Sequence, residues 1–252
     1  MQVSILPASR GPRWLVEGFA IFWRKPALLS FLVLGYWLTM AVISAAPVVG
    51  QMISFLLIPA FSVSMMNACR RIDRKEELPP QVLFSGFHRN LRALLNLGVI
   101  YILSTLAILC LSSLFDGGLL FRIMLTGKVQ AGEVLNDTAV LISAQLVIVL
   151  LIPLILAFWF APLLVAWHDM STGKSLFFSL VACLRNWRPF LLYSLTVAVI
   201  GMFVHLIDAG NNAGPLLPTM ITVTTSLILL PTLYASFYIS YRDIFAGAQN
   251  VP

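Results

Sequence analysis

The chain alternates between long stretches without a single charge and short stretches in which all the charge is gathered. Six apolar runs lack Lys, Arg, Asp and Glu: "PALLSFLVLGYWLTMAVISAA" (26–46), "QMISFLLIPAFSVSMMNAC" (51–69), "ALLNLGVIYILSTLAILCLSSLF" (93–115), "TAVLISAQLVIVLLIPLILAFWFAPLLVAW" (138–167), "PFLLYSLTVAVIGMFVHLI" (189–207) and "PLLPTMITVTTSLILLPTLYASFYISY" (215–241). About 20 such residues, rising 1.5 Å each, cross a hydrocarbon core of roughly 30 Å. The pattern predicts an all-α polytopic bundle of six transmembrane helices, in one integral membrane domain over 1–252. A β-barrel would show segments of about ten residues with apolar and polar positions alternating, and these are absent.

Before each odd-numbered run stands a shorter segment of mixed character. In the first, Arg13, Glu17, Ala20 and Arg24 share a helical face opposite Leu15, Phe19 and Phe22. In the second, Gln81, Ser85, His88, Arg89 and Arg92 oppose Phe84, Phe87 and Leu91. The third, "SLFFSLVACLRNW", is interrupted by Phe178 on its polar side. Pro79-Pro80 and Ser171-Thr172 provide helix starts. The spacing predicts amphipathic helices lying in the membrane interface.

These segments end on a recurring phrase. "RNLRALL" (89–95) and "RNWRPFL" (185–191) read Arg, Asn, apolar, Arg, then an apolar entry, and "WRKPALL" (23–29) is a shorter version. The even-numbered runs repeat as well. Pro59 is followed by Ala60, Ser64, Ala68 and Arg70, and Pro231 by Thr232, Ser236, Ser240 and Arg242; Pro162 with Ala166 matches in part. Small residues four apart let membrane helices approach closely, and prolines inside spans can kink them. The expectation is three units, 12–73, 79–169 and 171–243, each an interfacial helix followed by a helical hairpin. The middle unit carries an outer loop, 116–137, in which "LLFRIML" after Gly117-Gly118 reads as a short surface helix.

Composition sharpens this picture. Hydrophobic residues make up 60% of the 252 and charged residues 10%, whereas a soluble domain carries about a quarter charged. The mean hydropathy is +0.93. Of the 16 Lys and Arg residues, all but Arg122 and Lys128 fall on one side of the six runs. The positive-inside rule therefore predicts both termini in the cytoplasm. The basic excess points to an anionic membrane surface as partner and not to nucleic acid. The first run is too long for a signal peptide and reads as a retained span.

The phrases "WLVEGFAIFWRKP", "IPAFSVSMM" and above all "FSLVACLRNWRPFLLYSL" resemble an uncharacterised family of six-span proteobacterial inner-membrane proteins. The resemblance runs through most of the chain. It implies a bacterial inner-membrane location and brings no activity or catalytic residues with it.

Candidate chemistry is sparse. His205 and Asp208, three apart, share a helix face and are weak metal candidates if Asp116, Glu133 or Asp137 joins them; metal binding needs three or four converging ligands. The competing reading puts His205 among headgroups and Asp208 at a helix exit. His168 and Asp169, in "WHD", form a possible dyad or simply a polar helix end. His88 lies on the polar face of the second interfacial segment. No nucleophile motif, phosphate loop or HExxH is present. Cys69, Cys110 and Cys183 are widely separated and imply core packing, with no disulfide framework. Asn67, Asn96, Gln145 and the Thr222–Ser226 cluster are the polar groups within the runs, and no acidic residue sits near the middle of a span.

The expectation is a non-enzymatic integral membrane protein with an accessory, assembly or membrane-organising role and no cofactor. Its partners would be anionic lipids, and other membrane proteins or further copies of itself. A basic collar of Arg24, Lys25, Arg89, Arg92, Arg185 and Arg188 would hold the lipid. The alternative is a transporter or channel for a small solute, with a polar pathway between the hairpins.

Overall fold

The computed structural model describes residues 3–46, 49–126, 138–209 and 216–245. Among them there is no strand, and the elements follow the apolar runs. Helices α1 (Arg10–Arg24), α2 (Pro26–Ser44) and α3 (Val49–Asp73) lead to a 3-10 helix (Pro80–Phe87). Then come α4 (Leu91–Asp116), α5 (Leu119–Thr126), α6 (Thr138–Trp159), α7 (Ala161–His168), α8 (Thr172–Arg185), α9 (Trp187–Ala209) and α10 (Leu216–Ile244). Six segments are long and apolar enough to span a membrane, α6 and α7 together forming one of them. The short helix foreseen after Gly117-Gly118 is α5, and both glycines adopt positive φ. Lys128, Glu133 and Asp137 lie outside the described residues.

The second interfacial segment departs from expectation. It is a 3-10 helix, its start set by Pro79 and Pro80, and it buries Val82, Leu83 and Gly86 while Phe84 is exposed. In α1 the buried stripe is Gly11, Trp14, Leu15, Gly18, Ile21 and Phe22, whereas Phe19 points outward. The reason is visible in the glycines. A Cβ on Gly18 would lie 2.6 Å from the Ser236 amide nitrogen of α10, and one on Gly86 2.0 Å from the Ala60 carbonyl oxygen of α3. Backbone meets backbone there, so in α1 the glycines share the inward face with Trp14 and Phe22 while Phe19 is left outside.

Three such seats form a closed circuit. The 3-10 helix lies on α3, and the Gly86 amide donates to Ser64 Oγ at 2.9 Å. Helix α8 lies on α6 and α7, where the Phe160 amide donates to Ser179 Oγ at 2.9 Å and that hydroxyl donates on to the Leu156 carbonyl at 2.8 Å. Ser179 thus inserts into the backbone ladder where α6 breaks before Pro162. Helix α1 lies on α10 beside Ser236, which closes the circuit between the first and last helices. Ala60, Ser64, Ala68 and Ser236 are fully buried at these seams.

Helix α3 stands at the centre, packed by α2, α4 and α10, and buries more than half of its span; α9 buries almost none. Exposed side chains such as Phe31, Val42, Leu114, Val149 and Phe203 clothe the outside. A coat of that kind suits hydrocarbon and not water.

Candidate functional site

Charge gathers at the end of the bundle that carries the starts of α1, α4 and α9 and the ends of α3, α7 and α10, here termed the basic end. Two clusters occupy it, and they differ in charge balance.

The first ties three helices together. Arg10 pairs with Asp243, and its Nη1 reaches Glu17 Oε1 at 2.8 Å. The Trp14 indole donates to the same Asp243 carboxylate at 3.0 Å. Arg242 donates to Asp73 Oδ2 at 3.0 Å and Glu17 Oε2 at 3.1 Å, and the Tyr238 hydroxyl donates to Asp73 at 3.1 Å. Burial of Arg10 works against its charge, but the hydrogen bonds and negative charges of Asp243 and Glu17 outweigh it and hold its pKa above the ordinary arginine value. With Arg24, which pairs with Asp73, three arginines face three carboxylates in this cluster. It is a clamp joining α1, α3 and α10.

The second cluster surrounds a cavity of about 310 Å³ lined by Arg70, Arg71, Arg74 and Arg89, against Glu76 as the one carboxylate in the lining. The Arg70 guanidinium lies over the Trp167 ring, 5.2 Å from its centroid. This cation–π contact occupies the face of the group and leaves its N–H edges available. Arg71 donates to the Glu77 carbonyl at 3.1 Å, and Arg74 makes no ion pair among the described residues. Beneath them runs a polar relay: Trp167 Nε1 donates to Asn67 Oδ1, and Asn67 Nδ2 donates to Ser85 Oγ, both at 2.9 Å. Ser85 accepts in this relay, so its own hydroxyl hydrogen remains to be donated into the cavity. The arrangement fits an anion with several acceptor oxygens.

The six collar residues are divided. Arg24 pairs with Asp73 at 3.6 Å, and Lys25 Nζ donates to the Glu76 carbonyl at 3.3 Å, so both lean toward the end of α3. Arg89 lines the cavity and lies 3.5 Å from Asp169, each more than 60% exposed. Arg188 stacks on its neighbour Trp187. Arg92 and Arg185 are exposed and make no ion pair among the described residues.

In the repeated Arg-Asn-apolar-Arg phrase, the buried bonding belongs to the asparagines. Asn186 is fully buried; it donates to Ser4 O and Ala182 O at 3.0 Å and accepts from the Leu6 amide at 2.9 Å. Asn90, at φ +51°, donates to Val165 O at 3.0 Å and to Asp169. Each asparagine therefore ties the start of a span to a distant segment, a role that reading the phrase for its charge overlooks. In the sequence Arg70 reads as the end of a repeated span phrase and Arg71 and Arg74 as loop charge; nothing in it signals that the three line one cavity.

The remaining candidates do not assemble. His168 Nε2 lies 2.6 Å from the Tyr241 hydroxyl, while Asp169 turns to Asn90 and Arg89, so the "WHD" pair diverges. His88 is exposed, with Nδ1 donating to the Phe84 carbonyl. His205 is exposed on α9, and the side chain of Asp208 lies outside the described set. Among the described residues no three His, Cys, Asp or Glu side chains converge as metal ligands. Cys69 and Cys183 are buried, and burial pushes the Cys183 thiol up to about 12.

At mid-height lies a larger cavity, of about 750 Å³, between α3, α4, α6, α9 and α10. Its wall is mainly aliphatic and aromatic, with Ser62 and Ser194 among the lining residues. Toward the basic end, Trp159, Phe160, Phe190 and Phe237 meet ring to ring, Phe160 and Phe237 stacked with centroids 5.5 Å apart.

Over its whole length the chain is similar to a probable inner membrane protein of Burkholderia thailandensis, with 35% identity over 268 aligned positions that take in 98% of that relative. No family model and no solved structure matches the chain.

Proposed function

Because the chain belongs to the family of this relative, a family of integral inner-membrane proteins, we propose that it is a non-enzymatic accessory or membrane-organising protein that collects anionic lipid at its basic end. The observation that carries the reading is the cavity lined by Arg70, Arg71, Arg74 and Arg89, with Glu76 as the one carboxylate in its lining. A phosphate diester supplies the missing negative charge and accepts from guanidinium edges and from Ser85. Each basic residue held at an anionic surface contributes roughly 1 kcal/mol. Arg92 and Arg185, exposed and unpaired, extend the attraction around the rim, and the cytoplasm is the side this end faces. The same reading takes 12–73, 79–169 and 171–243 as three related units, each seated on the hairpin of another.

A transporter for a polar or charged solute would need polar groups along a route across the bundle, and the mid-height cavity is lined mainly by aromatic and aliphatic side chains, with a few hydroxyls and no charged residue. That observation favours the accessory role.

Lipid-resolved mass spectrometry of the purified protein tests the proposal. The wild type is expected to retain phosphatidylglycerol or cardiolipin over zwitterionic lipid. Replacing Arg70, Arg74 and Arg89 with Gln is expected to cut that retention roughly tenfold or more, since three contacts of about 1 kcal/mol are lost. Equal retention of both lipid classes by both forms would show that the arginines serve orientation alone.

A further inference from the structure

We infer that the mid-height cavity is a binding site for a neutral, ring-bearing membrane lipid with carbonyl oxygens, of the isoprenoid quinone class. The argument starts from depth. The wall residues sit well inside their spans: Pro59 in α3, Tyr101 in α4, Phe158 in α6, Ser194 in α9 and Tyr234 in α10. No Lys, Arg, His, Asp or Glu lines the cavity, so its occupant is uncharged. Phe55 and Ile58 of α3, Ile155 of α6, and Ser194 and Ala198 of α9 are wall residues that are also exposed, so the cavity opens sideways to the bilayer between these spans. An occupant therefore enters from the hydrocarbon.

Volume then limits its size. A cavity of about 750 Å³ falls in the range of small-molecule pockets, about 300–1,000 Å³, and takes a ring with part of its tail.

The wall selects the ring. Tyr101, Phe158, Trp159, Tyr193, Tyr234 and Phe237 present aromatic surfaces from four elements, suited to offset stacking on a planar group. Ser62, Tyr101 and Ser194 bring hydroxyls from three elements, and none of them has a hydrogen-bond partner among the described residues. A hydroxyl surrounded by apolar groups gains by donating to an acceptor. Two carbonyls on a flat ring provide that acceptor without charge.

Tryptophan fluorescence tests this, because a quinone quenches a nearby indole and Trp159 is on the wall. Decylubiquinone titrated into the full-length protein in nanodiscs is expected to give saturable quenching, and Trp159→Phe to lose its saturable part. Ala198→Phe, which fills the cavity, is expected to abolish saturation. Tyr101→Phe keeps the shape and removes one donor, and is expected to weaken the apparent affinity about 2- to 12-fold. The Arg70→Gln, Arg74→Gln variant is expected to bind decylubiquinone normally, which separates this site from the anionic-lipid reading. Linear quenching without saturation overturns the inference, as does saturation that Trp159→Phe and Ala198→Phe leave unchanged. Equal competition by a saturated alkyl ester of the same length overturns it too, because the cavity would then hold a chain and not a ring.

Discussion

Gly18 and Gly86 set how closely two interfacial segments approach the spans beneath them. Each lets an interfacial segment lie directly against the backbone of a span. Gly18→Ala would force α1 away from Ser236, and overpacking of this kind costs about 1–3 kcal/mol. The expected result is a lower thermal midpoint in detergent, read by the change in tryptophan fluorescence. Gly201→Ala serves as the control: a Cβ there meets nothing within 4 Å, and such substitutions stay within about 0.5 kcal/mol. These positions were hard to read from the sequence for a physical reason. In lipid, both faces of an interfacial helix tolerate apolar side chains, so hydrophobicity does not separate the protein-facing side from the lipid-facing one. Phe19 therefore groups with Leu15 and Phe22 on the apolar face read from the sequence, although it is exposed while they are buried, and Gly18 carries no signal there. The spacing of Ala60, Ser64 and Ala68 did show its meaning, because small residues four apart have few other uses inside a span.

At the scale of elements, the six spans were legible because twenty uncharged residues in succession leave few alternatives. The 3-10 form of the second interfacial segment was not, since an apolar spacing of three or four is shared by both helix types and Pro79-Pro80 marks a start without choosing between them. The ionic clamp was equally hidden. Arg10 and Asp243 lie 233 residues apart, and nothing local in either segment announces the other. Asp243→Asn removes the charge that both Arg10 and Trp14 address and leaves Arg10 to Glu17 alone. With Asp243 only 13% exposed and Arg10 22%, the loss is expected at about 1.5–3 kcal/mol, the range for hydrogen bonds to charged groups. Helix α1 should then lift from α10, and limited trypsin digestion should cut after Arg10 and Arg13 sooner than in the wild type.

For the whole molecule, the distribution of Lys and Arg gives a directional expectation: the basic end faces the cytoplasm, and both termini with it. A periplasm-dependent reporter fused after residue 252 should be inactive, and a cytoplasm-dependent one active; the reverse result would invert the topology. The three-unit pattern was visible as repeated phrases, but the way the units meet was not, because the sequence records what each segment resembles and not what it touches. The circuit in which the 3-10 helix sits on α3, α8 on α6 and α7, and α1 on α10 also imposes an order in time. The first two seats join segments close in sequence and can form as the chain emerges. The seat of Gly18 on Ser236 cannot, since 218 positions separate them. At about 5–20 residues per second, α1 waits roughly 10–45 s after its own synthesis before α10 exists to receive it. During that interval it rests on the bilayer with its glycine stripe uncovered. The arrival of the last span is what locks the first helix, so a nascent chain stalled before α10 is left holding an unclaimed surface.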